Sequence, residues 1–203
     1  MKHELSRRSF LRSSVLTSAG ATLIETALTL TANVDAAEIS GPPVAGPAPV
    51  PITLNVNGST RTLQAEPRMT LAEALRGPFG LTGTKIACDR GACSACTVWL
   101  DGVTVCSCMM LAIDVGARSV TTIEGLAKGA QLHAVQAAFI DHDALQCGFC
   151  TPGMVMSCAA LLEHNTEPSA EDVRAAISGH VCRCGTYPHV VAATLAAAKV
   201  RKA

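Results

Sequence analysis

Ten cysteines stand in a chain of 203 residues, and eight of them fall into two spaced groups. Cys88, Cys93, Cys96 and Cys108 make the first group. In the second, Cys147 and Cys150 of QCGFCTPGM are answered far downstream by Cys182 and Cys184 of HVCRCGTYPHV. Four thiolates brought together hold soft metal, zinc or iron with sulfide. In an exported chain the same residues could instead form disulfides. Spacing and the N-terminus bear on that choice.

The N-terminus reads Ser6-Arg7-Arg8-Ser9-Phe10-Leu11-Arg12, followed by a mildly apolar run from Val15 to Leu30 and small residues at Ala36 and Ala37. Twin arginines before Ser-Phe-Leu are the pattern of a twin-arginine export signal over residues 1–37, which directs a folded protein to the periplasm. The run is short, carries Glu25 and is rich in Thr and Ala, so no stable membrane span is expected. Export after folding lets a metal occupy the thiolates in the reducing cytosol, before any oxidant is met. Residues 38–51 include SGPPVAGPAPVP, too proline-rich for a helix or a central strand, and read as a linker.

Residues 52–127 read as a small α+β domain. Ile52 to Val56 alternates like a half-buried strand, Asn57-Gly58 is a hairpin turn, and Thr60 to Ala65 returns. Thr70 and Glu73 form a capping box for the helix LAEAL. Thr97–Leu100 and Val103–Cys106 flank an Asp101-Gly102 turn, and Val120 to Ile123 supplies a further strand. The loop between helix and strands carries Cys88-x4-Cys93-x2-Cys96, with Cys108 beyond it. This is the plant-type spacing for a [2Fe–2S] cluster, in which a loop wraps the inorganic core and its amides face the sulfurs. Zinc sites more often pair two short knuckles. Cys108, expected on a neighbouring strand, is the preferred fourth ligand, with Cys106 as its rival.

Residues 128–203 change to a helical period. Leu132, Val135, Phe139 and Ile140 mark one helix. Thr151 and Pro152 open a second, Ser169 with Asp172 caps a third, and Pro188 starts a fourth. Four short helices imply a bundle. The cysteines of the second group sit just before helix N-termini, whose partial positive charge favours thiolates. On spacing alone, iron–sulfur, zinc and a disulfide pair all remain open for this group.

The two groups together resemble the iron–sulfur subunit of xanthine oxidase-family molybdenum hydroxylases, through GTKIACDRGACSACTV, QCGFCTPGM and CRCGTY. The export signal and CRCG-x-Y look most like the periplasmic aldehyde oxidoreductase type. The resemblance implies a β-grasp ferredoxin-like domain followed by a four-helix-bundle domain, each with one [2Fe–2S] cluster. It implies ligands Cys88, Cys93, Cys96 and Cys108 for the first cluster and Cys147, Cys150, Cys182 and Cys184 for the second. Gln146 would contact the pterin of a molybdopterin-binding large subunit, with Cys184 the ligand nearest it. Electrons would pass through both clusters to a subunit carrying FAD or to a cytochrome c-type acceptor. The sequence departs from many relatives at Ala87 and Ser94, where glycine is frequent, and at His180, where asparagine is common.

The remaining residues narrow the function by elimination. Sixteen basic and sixteen acidic residues balance, so no basic stripe points to nucleic acid. There is no dinucleotide fingerprint, phosphate loop or nucleophile triad, and no catalytic residue is assigned. The chain is expected to carry electrons for a substrate reaction on another chain. The rivals are a stand-alone two-cluster ferredoxin and a zinc or disulfide module. Cys158 is expected to be a core residue, and the histidines at 133, 142, 164, 180 and 189 to lie at the surface or in caps.

Overall fold

In the computed structural model, residues 46–200 are described; the expected export signal and most of the expected linker lie outside them. Strands β1 (Val50–Val56) and β2 (Ser59–Ala65) form the expected hairpin, with Val56 opposite Ser59 across the Asn57-Gly58 turn. Both turn residues have positive φ, as a tight hairpin of this hand requires. The strand starts earlier than the linker reading allowed, because Val50 and Pro51 pair with Ala65 and Gln64. Pro51 is tolerated there because β5 (Ser119–Thr121) reaches β1 only at Asn55 and Val56, leaving the Pro51 end with one neighbour.

Strands β3 (Thr97–Leu100) and β4 (Val103–Cys106) form the second hairpin, and the five-stranded sheet runs β2-β1-β5-β3-β4. β5 is parallel to β1 and antiparallel to β3. Helix α1 (Leu71–Arg76) has the Thr70–Glu73 capping box and buries Leu71, Ala72, Ala74 and Leu75. Leu71 and Leu75 pack with Leu54, Val56, Val98, Val115 and Val120 in one core. A mixed sheet grasping one helix is the expected α+β arrangement. Ile123 does not extend β5, since it begins a one-turn helix, α2 (Ile123–Leu126), that leads out of the sheet domain.

The second half is helical. Helix α3 (Ala134–Asp141) is capped by His133, whose ring nitrogen accepts from the Val135 N–H. Helix α4 (Thr151–His164) starts directly after Cys150 with Pro152 in its first turn. Helix α5 (Ala170–Ala176) has the Ser169–Asp172 capping box, and α6 (Tyr187–Val200) closes the chain. Val135, Phe139, Met154, Met156, Cys158, Leu162, Val173 and Val190 form its core. Cys158 is fully buried there, as expected of a small core residue.

The two halves pack closely. The Trp99 indole on β3 donates to the Met156 carbonyl on α4 at 2.9 Å. A Cβ added at Gly153 would lie 2.4 Å from the Ser94 carbonyl oxygen, so only glycine lets α4 approach the cysteine loop this closely. Among the described residues, no helix is long and apolar enough to cross a membrane.

Candidate metal centres

The loop from Thr84 to Cys96 has little regular structure and bends through three residues in the left-handed region: Asp89 (φ 52°), Gly91 (φ 70°) and Ser94 (φ 56°). Ser94 therefore adopts the backbone conformation that a glycine would take more cheaply, whereas Ala87 does not. These bends turn amides toward sulfur. Gly91 N–H donates to Cys108 Sγ at 3.3 Å and Ala92 N–H to Cys88 Sγ at 3.2 Å. Neighbouring thiols add to this: Cys93 helps to lower the pKa of Cys88, and Cys96 helps to raise that of Cys108. Hydrogen bonding, led by the backbone at Arg90, brings Cys88 down to about 7, while burial pushes Cys108 up to about 11.

The strand expected to carry Cys108 ends at Cys106, and Cys108 lies in a single turn of 3-10 helix, Ser107–Met109. That turn separates the two rivals. Cys108 is buried and receives an amide N–H, as a thiolate does. The Cys106 thiol lies 4.0 Å from the Gly91 carbonyl oxygen, a partner that suits a protonated thiol and repels a thiolate. None of the ten cysteines is in a disulfide.

The second group is assembled by two loops. Cys150 is the N-cap residue of α4, at the end where the helix dipole is positive, and Cys147 three residues earlier is exposed. Cys182 and Cys184 come from the loop ahead of α6. Burial first, and the neighbouring Cys182 next, push Cys150 up to about 12. Burial works to raise Cys182 as well, yet hydrogen bonds from the side chain and backbone of Thr186, then Cys150 and Gly185, carry it down to about 7. The Thr186 hydroxyl lies 3.4 Å from Cys182 Sγ. Tyr187 clamps this loop: its hydroxyl accepts from the Cys182 N–H at 2.8 Å and donates to the His180 carbonyl at 2.9 Å.

In the loops of the second group Leu145, Phe149 and Val181 are exposed, as are Gln146 and Arg183. Against the surface expectation, His180 is 5% exposed. Its Nε2 is 2.7 Å from Ser157 Oγ, and burial lowers its pKa to about 4. The role of Thr186 and the burial of His180 carried no sequence signal, because both depend on how the loop folds back on itself.

The two groups meet. The backbone N–H of Val181, next to Cys182, donates to the carbonyl of Cys93 at 3.2 Å. Among the described residues no three or more His, Cys, Asp or Glu side chains are gathered to hold a single ion. What the loops present is cysteine sulfur with amide and hydroxyl donors beside it, a donor set that fits an anionic iron–sulfur cluster held by thiolates.

Residues 54–126 match a family described as "2Fe-2S iron-sulfur cluster binding domain", and residues 122–195 one described as "[2Fe-2S] binding domain". The chain is 41% identical to the aldehyde oxidoreductase iron-sulfur-binding subunit PaoA of Escherichia coli O157:H7, over 95% of this chain and 90% of that one. The chain belongs to the iron–sulfur subunits of xanthine oxidase-family molybdenum hydroxylases. Within that family it is also 48% identical to the nicotine 6-hydroxylase small subunit of Paenarthrobacter nicotinovorans, over 72% of this chain and 88% of that one. Its fold matches a chain of quinoline 2-oxidoreductase from Pseudomonas putida 86 with a TM-score of 0.73 and 43% identity, covering 76% of this chain and 97% of that chain. As an iron–sulfur subunit of this family, it comprises two [2Fe–2S]-binding domains in series.

Proposed function

We propose that this chain is the electron-transfer subunit of a molybdenum-dependent hydroxylase or aldehyde oxidoreductase complex. In this reading Cys88, Cys93, Cys96 and Cys108 hold one [2Fe–2S] cluster, and Cys147, Cys150, Cys182 and Cys184 hold the other. When bound, each cluster supplies a centre that accepts and releases one electron at a time. The chain's own residues set where those centres sit and how strongly they hold charge. The Gly91 and Ala92 amides stabilise negative charge on Cys108 and Cys88, and the Thr186 hydroxyl does so on Cys182.

The observation that carries the proposal is the Val181–Cys93 hydrogen bond. It joins the residue next to one proposed ligand to another proposed ligand through one 3.2 Å contact. That bond holds the two cysteine loops side by side, which suits a carrier that passes single electrons from one centre to the next.

Partners follow from the surface and the relatives. The exposed Leu145, Gln146, Phe149 and Val181 flank the second group and suit a face that a molybdopterin-binding large subunit covers, with Gln146 reaching the pterin. The first group then serves the exit side, toward a subunit carrying FAD or a cytochrome c-type acceptor. Residues 1–37 act as a twin-arginine signal, and the complex works in the periplasm. The substrate is an aldehyde or an N-heterocycle, and its chemistry lies on the other chain. A stand-alone ferredoxin would gain nothing from leaving Leu145, Phe149 and Val181 exposed in the loops of one centre.

Purification of the native complex tests this. A red-brown complex containing a molybdenum subunit, recovered from the periplasmic fraction, is the expected result. Colourless protein with bound zinc contradicts it.

A further inference from the structure

Three ligands proposed for the first centre, Cys88, Cys93 and Cys96, share one loop, but Cys108 follows twelve residues after Cys96, beyond the β3–β4 hairpin. In that hairpin Thr97 stands opposite Cys106, so Cys96 and Ser107 are the next facing pair. The ladder weakens there. The Ser107 N–H reaches the Cys96 carbonyl at 3.3 Å, and the chain turns into the 3-10 helix that carries Cys108. The Ser107 hydroxyl donates to the same carbonyl at 2.7 Å. Ser107 has no exposed surface, and Cys96 and Cys108 are buried together with Ala72 of α1.

Two hydrogen bonds on one carbonyl hold the Cys96–Thr97 peptide at its oxygen. The Thr97 N–H, which donates to the Ser94 carbonyl at 3.2 Å, holds the same peptide at its nitrogen. The backbone of one ligand is thereby locked. Beyond Cys108 the chain is bound to the start of α1: the Leu71 N–H donates to the Met110 carbonyl at 2.7 Å, and the Ala112 N–H to the Met69 carbonyl at 2.8 Å. Cys108 therefore lies between two anchors made by the chain itself. A ligand whose backbone is already in place gives up little conformational freedom when it binds.

We propose that Ser107 is a positioning residue of the first centre. Its hydroxyl holds the Cys108 turn against the Cys96 backbone before iron and sulfide arrive, and keeps the two ligands in register afterwards. The proposal rests on the reading that these cysteines hold a cluster.

The complex carrying Ser107→Ala tests it, with the second centre as internal control. Electron paramagnetic resonance of the reduced complex reads both centres, the first identified by its absence in Cys93→Ala. The loss of each signal is then followed during incubation with ethylenediaminetetraacetate. In Ser107→Ala the g-values of the first centre should change and its signal should decay about tenfold faster, the worth of one buried hydrogen bond. The second centre should keep its wild-type g-values and decay. Ser107→Thr, which retains the hydroxyl, should restore the first centre. Wild-type behaviour of the first centre in Ser107→Ala overturns the proposal, as does no recovery in Ser107→Thr. An equal change at both centres also overturns it, because that marks a general loss of stability. If Ser107→Ala yields no complex, Ser107→Thr decides: wild-type g-values and decay uphold the role of the hydroxyl, and altered ones overturn it. A wild-type complex showing only the second signal overturns the proposal through the cluster reading beneath it; the other contrary results leave that reading intact.

Discussion

Val181 N–H donates to the carbonyl oxygen of Cys93 at 3.2 Å, so the last loop of the helical domain is tied directly to the cysteine loop of the sheet domain. Gly153 makes the approach sterically allowed, and the Trp99 indole, bonded to the Met156 carbonyl, ties the two domains a second time. The two cysteine groups are therefore held at a fixed separation by packing, and their relation can be broken by single substitutions.

Cys106 and Cys108 should part company on substitution. Cys108→Ala removes the sulfur that receives the Gly91 N–H, and is expected to lose about half the iron. Cys106→Ala removes a thiol facing the Gly91 carbonyl and should retain full iron content. Iron analysis of both variants checks this; the opposite outcome would reassign the fourth ligand.

Gly153→Ala should loosen the two domains. Its new Cβ would meet the Ser94 carbonyl at 2.4 Å, a backbone atom that cannot swing aside. Overpacking of this kind costs about 1–3 kcal/mol. Denaturant unfolding should show that loss, together with weaker indole protection at Trp99.

Tyr187→Phe removes one hydroxyl that serves both the Cys182 N–H and the His180 carbonyl. A loss of about 1–2 kcal/mol is expected, with faster amide exchange at Cys182. Cys182 is a proposed ligand of the second centre, so the redox potential of that centre should shift while that of the first stays in place.

Asp172 gives a pH dependence with a definite sign. Hydrogen bonds from the Ser169 backbone and hydroxyl lower its pKa from 3.8 in the folded chain. The unfolded chain then binds protons first, so the stabilisation is complete above the unfolded value and is lost as pH falls through the folded one. Asp172→Asn should flatten that acid limb of a stability-versus-pH curve. An unchanged slope would show the cap to be uncoupled from folding.

What the sequence disclosed was local. The Asn57-Gly58 turn and the capping boxes at Thr70 and Ser169 are each written in a few adjacent residues, and each formed as read; so did the bend expected at Gly91. What it withheld depends on distant packing. The strand at Pro51 is stable because of which edge β5 leaves open, and His180 is buried because α4 supplies Ser157 above it. The same holds for Cys108, which a strand alternation cannot place once the chain turns into a 3-10 helix at Ser107. The bond between Val181 and Cys93 has no one-dimensional trace at all.

The central claim is that this chain carries two [2Fe–2S] centres, one per cysteine group. Redox-poised electron paramagnetic resonance of the wild-type complex and of Cys93→Ala and Cys182→Ala tests it most directly. The account predicts two distinct [2Fe–2S] signals in the wild type, with each variant losing a different one. A single signal in the wild type, or the loss of the same signal in both variants, would contradict it.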